Sequence, residues 1–102
     1  MHDSPLTGAQ KTFLRGHGQL LAPALKVGKG GLTPAFFAEF ARALGAQELV
    51  KLRFLGAERA ERPEWCAKIA EQGGCACVGA VGHTALFYRP NPDPAARRIT
   101  LP

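Results

Sequence analysis

No stretch of this chain reaches the roughly eighteen consecutive apolar residues that a membrane-spanning helix needs. Nor does its opening, Met1 to Pro5, carry the basic segment followed by an apolar one that marks an export signal. The expectation is a protein of the cytoplasm with no membrane partner. Cysteine is scarce: Cys66, Cys75 and Cys77 are odd in number and too sparse for the disulfide framework of a small secreted domain. The phosphate-binding signatures of nucleotide enzymes are missing, because no G-x-x-x-x-G-K-S/T occurs and Gly28, Gly30 and Gly31 do not complete G-x-G-x-x-G. Negative charge is also short, with 8 Asp and Glu against 13 Lys and Arg and a formal net charge of +5. A surplus of that size on a small surface favours polyanionic partners.

What is present suits a single domain over residues 1–102, since 46% of the 102 residues are apolar. Leu6 to Gly18 reads as a first helix: Thr7 and Gln10 form a capping-box pattern, Ala9, Phe13 and Leu14 follow at helical spacing, and Gly16 and Gly18 are read as its end. A strand is expected at Ala24 to Val27, running into the tight loop Gly28-Lys29-Gly30-Gly31. Leu32-Thr33-Pro34 then supplies a staple residue that can meet Phe37, an N-cap and a first-turn proline, so a second helix begins there, with Gly45 as its stop. Glu48 to Phe54 alternates as a half-buried strand, with Val50, Leu52 and Phe54 on one face and Leu49, Lys51 and Arg53 on the other.

A third helix is expected over Glu61 to Gln72, opened by Pro63 and ended by Gly73-Gly74. Two strands near Cys75 to Val78 and Thr84 to Arg89, joined at Gly82-His83, should complete the sheet. Past Arg89 the prolines at 90, 92 and 94 oppose helix and ladder pairing. Globular structure is therefore expected over about residues 6–89, with 90–102 a Pro-rich extended tail. The order helix, strand, helix, strand, helix, strand, strand predicts an α/β fold of two layers.

The glycine loop is the informative constellation because it joins a strand to a capped helix start. Unpaired N–H groups and the positive end of the helix dipole point outward there, and glycines without Cβ let a phosphate backbone come close. A G-x-x-G loop so placed is how KH-type domains hold single-stranded nucleic acid. Lys29 at its tip and Lys26 beside it add charge. Lys11 and Arg15, four apart on the first helix, with Lys51 and Arg53 on one strand face and Arg89 on the last strand, complete a candidate anionic groove.

Other chemistries fit less well. Cys75-Ala76-Cys77, with Cys66 or a histidine, could be imagined as a metal or redox site. Structural zinc, however, usually takes C-x2–4-C spacing, and a C-x-C on a strand sends both thiols to one face, where they pack as core. Catalysis by Cys with His17 or His83 finds no support in spacing. Trp65 and Phe87 read as core residues distant from the loop, and Tyr88 is left open between core and base stacking. A module that docks on a protein surface without touching RNA is the remaining alternative.

The ordered pieces Leu6-Thr7, Gln10-Lys11, Leu14-Arg15, Val27-Gly28-Lys29-Gly30-Gly31-Leu32-Thr33, Ala43-Leu44, Glu48-Leu49-Val50-Lys51, Val81-Gly82, Leu86, Tyr88-Arg89-Pro90 and Ile99-Thr100-Leu101-Pro102 resemble the CRM domain family. The resemblance is to its stand-alone bacterial YhbY type and spans nearly the whole chain. Gln47 and His83 depart from the histidine and the basic residue often found at those points. The resemblance implies a four-stranded mixed sheet with about three helices, similar to the C-terminal domain of a bacterial translation initiation factor. It implies RNA binding through the loop and Lys11 and Arg15, joined by Lys51 and Arg89, and no enzyme chemistry or cofactor. The partner it implies is the ribosomal RNA of large-subunit precursors, bound by a monomer; plant relatives use the domain in splicing organellar introns.

Overall fold

The computed structural model describes residues 6–28, 30–58 and 60–102. Its elements are α1 (Gly8–Gly18), β1 (Leu25–Val27), α2 (Pro34–Gln47), β2 (Leu49–Phe54), α3 (Arg62–Gly73), β3 (Ala76–Val81) and β4 (Thr84–Tyr88). Three helices and four strands thus follow in the expected order. The strands form one mixed sheet in the order β1-β2-β4-β3, with β1 parallel to β2 and the other two pairings antiparallel.

Local chemistry accounts for most boundaries. Thr7 Oγ1 accepts the Gln10 N–H and Gln10 Oε1 accepts the Thr7 N–H, both at 3.1 Å, so the capping box is closed. Thr33 Oγ1 accepts the Phe36 N–H at 3.1 Å ahead of Pro34. Gly74, left-handed at φ 60°, ends α3.

α1 ends at Gly18 as expected, and glycine is needed there because a Cβ would overlap the Leu86 side chain beneath it. The expected stop at Gly45 is overridden by tertiary contacts. α2 passes Gly45 and ends at Glu48, which adopts φ 66° without being glycine. The carboxylate of Glu48 explains that cost: it is buried and accepts N–H groups from Asn91, Arg98 and Ile99 at 2.6, 2.7 and 3.0 Å.

Alternation along β2 sends its side chains to two different cores. Val50, Leu52 and Phe54 join Phe40 and Leu44 of α2, Cys66 and Ile69 of α3, and Phe87 of β4. Phe40 and Phe87 meet edge to face with centroids 5.6 Å apart. On the other face Leu49, Val78, Leu86 and Tyr88 pack under Leu14 of α1. The expected two layers therefore gain a third.

The segment 90–102 departs from a free extended tail. Apart from one 3-10 turn, Pro94–Ala96, it has no regular element, yet Ile99 and Leu101 pack on the α1 face and the Glu48 carboxylate binds its backbone. Prolines removed ladder pairing there, but apolar side chains and a buried acceptor hold the segment against the body.

Candidate nucleic-acid interface

β1 and β2 finish together, and the Leu55 N–H donates to Val27 O at 2.8 Å while the Phe54 N–H donates to His83 O at 2.7 Å. The glycine loop, the end of β2 and the β3–β4 turn consequently lie at one end of the sheet. The Gly31 N–H closes a turn onto Gly28 O at 3.0 Å, and Gly31 takes φ 75°, a conformation glycine adopts without strain. Lys29 lies outside the described residues. Four residues on, Thr33 caps α2, so the turn opens directly onto a helix N-terminus.

Trp65 is the residue that sequence distance misplaced. Its ring lies against the loop, 3.6 Å from where a Gly31 Cβ would sit, and stands edge to face on Phe54 with centroids 6.1 Å apart. The loop therefore rests on an indole that is itself wedged on the core. Phe87 is buried in the core as expected, and Tyr88, 4% exposed, is core as well rather than a stacking platform.

The structure divides the candidate cations. Lys26 and Arg53 are directly paired in the β1–β2 register, share a face and are both exposed. Neither is in the one ion pair among the described residues, Glu64 with Lys68. Their row continues through Thr84 to Val81 and adjoins the loop two residues after Lys26.

One row inward the cations are already engaged. Lys51 Nζ donates to Leu21 O at 3.0 Å, pinning the segment between α1 and β1. Arg15 Nη1 donates to Val78 O at 3.1 Å across β3. Lys11, half-buried, lies on the same helix over that edge of the sheet, three strands from β1. Arg89 does not join the group. It follows β4 at the far end of the sheet, roughly 17 Å along the strands from the loop, and its Nη1 donates to Gly73 O at 3.1 Å, where a cation complements the α3 C-terminus.

Sequence reasoning missed Arg62 at this end. Its Nη1 donates to Gly82 O at 2.9 Å and its Nη2 lies 3.1 Å from His83 Nδ1, so it clasps the β3–β4 turn. An open cleft of about 730 Å³ begins beside it, bounded by Phe54, Cys66, Cys77 and His83. Only long-range pairing brings residues 62 and 82 together, and no local motif signals it.

The three-helix, four-strand arrangement with a glycine loop at one sheet end defines a small α/β domain of a recurrent type. The family model described as the CRS1 / YhbY (CRM) domain matches residues 6–89, and the chain belongs to that family. It is similar to a protein of Pseudomonas aeruginosa whose name describes it as a probable RNA-binding protein, 38% identical over 89 residues that cover 87% of this chain and 86% of the relative. It is similar also to a protein of Haemophilus influenzae named RNA-binding protein, 34% identical over 97 residues and 95% of each chain. The fold matches the solution structure of a hypothetical protein from Staphylococcus aureus with a TM-score of 0.82 at 26% identity, covering 96% of this chain and 100% of that one. The CRM resemblance and the mixed α/β sheet read from the sequence are both borne out.

Proposed function

We propose that this protein binds RNA non-catalytically in the cytoplasm and assists assembly of the large ribosomal subunit, with ribosomal RNA of the precursor particle as its partner. The phosphate backbone would run over the G-x-x-G loop, Gly28 to Gly31 with Lys29, and along the exposed pair Lys26 and Arg53. The observation that carries this reading is the direct continuity of that cation pair with a glycine turn opening onto a capped helix start, where free N–H groups and positive charge act together. The named relatives support RNA as the polyanion. Lys11 and Arg15 would extend the footprint across α1, whereas Lys51 and Arg89 serve first as structural ties.

The test is crosslinking and sequencing of RNA bound in cells, with a Lys29→Glu variant as control. A discrete large-subunit ribosomal RNA site, lost in the variant, is the expected result; no enrichment over background would overturn the reading. In vitro, affinity should fall with salt at a log–log slope of about 0.7 per phosphate contact on a single strand. A protein-docking module would show little salt dependence.

A further inference from the structure

The cleft beside Arg62 is also where two thiols meet. Cys66 stands on α3 and Cys77 on β3, both pack into the same core cluster and both line the cleft, where Cys77 is half-buried and Cys66 is buried. Arg62 stands one helical turn before Cys66 at the cleft wall. β3 is an edge strand, and its register with β4 slips between Cys77 and Gly79. Bulges of this kind re-aim side chains and free backbone donors.

We propose that Cys66 and Cys77 form a redox-active dithiol that closes to an intramolecular disulfide on meeting a low-molecular-weight disulfide. The Cys77 thiolate attacks one sulfur of the reagent, whose S–S bond breaks and whose other half leaves as a thiolate. The Cys66 thiol then loses its proton and attacks the Cys77 sulfur of the mixed disulfide, expelling the second half. Two protein thiols are oxidised by two electrons and one disulfide is reduced to two thiols.

Acidity is divided in the sense this order requires. A hydrogen bond from Cys66 outweighs burial at Cys77 and, helped by the Gly79 N–H and the Lys11 charge, brings that thiol down to about 7. Cys66 is pushed up by the same bond, by burial and by the charge of Cys77; the bond and the charge are removed once Cys77 is in a mixed disulfide, and burial remains. Cys75 is pushed up to about 12, chiefly by burial, and stays inert despite lying two residues from Cys77.

The test incubates the reduced full-length protein with oxidised glutathione and counts and maps its thiols. Two thiols should disappear together, in a Cys66–Cys77 linked peptide that retains no glutathione. Cys66→Ser should instead trap one glutathione on Cys77, and Cys75→Ser should behave as the unsubstituted chain. An unchanged thiol count, or linkage through Cys75, would overturn the proposal. If Cys66→Ser fails to fold, alkylation of the unsubstituted chain decides: Cys77 should react at least about tenfold faster than Cys75, and equal rates would refute the assignment. The outcome does not depend on whether RNA binds.

Discussion

The two ends of the sheet spend positive charge in opposite ways. At the tail end Arg89 donates to the Gly73 carbonyl that ends α3, and the Glu48 carboxylate collects backbone N–H groups from the C-terminal segment. At the loop end Lys26 and Arg53 stand exposed in one row. A basic residue therefore informs about a ligand only when the fold has not already given it a carbonyl to bind. The six candidate Lys and Arg side chains among the described residues look alike in sequence terms, yet only this pair is both exposed and adjoining the glycine turn.

The sharpest way to break the comparison is at Glu48. Glu48→Ala removes the acceptor for three N–H groups and leaves a positive φ without compensation, so a loss on the order of 3 kcal/mol is expected in chemical denaturation, with RNA affinity nearly unchanged. Acid should act on the same group. Burial raises its carboxyl, but the N–H groups of Asn91, Arg98 and Ile99 and the Arg97 charge more than offset this, leaving its pKa below the ordinary 4.5. A depressed carboxyl stabilises the fold above its unfolded value and loses that contribution as pH falls through the lower, folded one. Protection of the Ile99 amide against hydrogen exchange, relative to its intrinsic rate at each pH, should therefore fall below about pH 4.5 before that of the α2 amides; simultaneous loss would place the tail's anchor elsewhere.

Charge reversal at the other end should show the converse. Lys26→Glu with Arg53→Glu is expected to weaken RNA binding at least about tenfold, near 1.4 kcal/mol, and to flatten the salt slope, with the denaturation midpoint barely moved. Unchanged affinity would remove the row from the interface. Smallest is Arg89→Met, which should cost about 1 kcal/mol of stability through the lost bond to Gly73 and leave RNA affinity as it was. A drop in affinity there, measured on folded protein, would extend the footprint to the far end and erase the contrast.

Local signals carried much of the fold. The Thr7 and Thr33 caps, the alternation of β2 and the Gly73-Gly74 stop depend on residues within a turn of one another, and each lies within a residue or two of its expected place. What was illegible depends on contacts across the chain. β3 extends to Val81 because β4 pairs with Gly79 and Ala80, residues of low strand propensity. α2 overruns Gly45 because Glu48 has partners some fifty positions away. The site divides likewise: the glycine turn and its cap were visible in order, whereas Trp65 beneath Gly31 and Arg62 at the β3–β4 turn required the folded chain.

The bulge that follows Cys77 also bears on how the sheet meets its own kind. An edge strand offers unpaired amides to which another molecule's strand can add, the first step toward aggregation. Here Val78, left out of the ladder, gives its carbonyl to Arg15, and the opposite border, β1, is only three residues long. Both borders are thereby made poor templates, one by interruption and one by brevity, which works against open-ended strand stacking even when the protein is crowded along a polyanion.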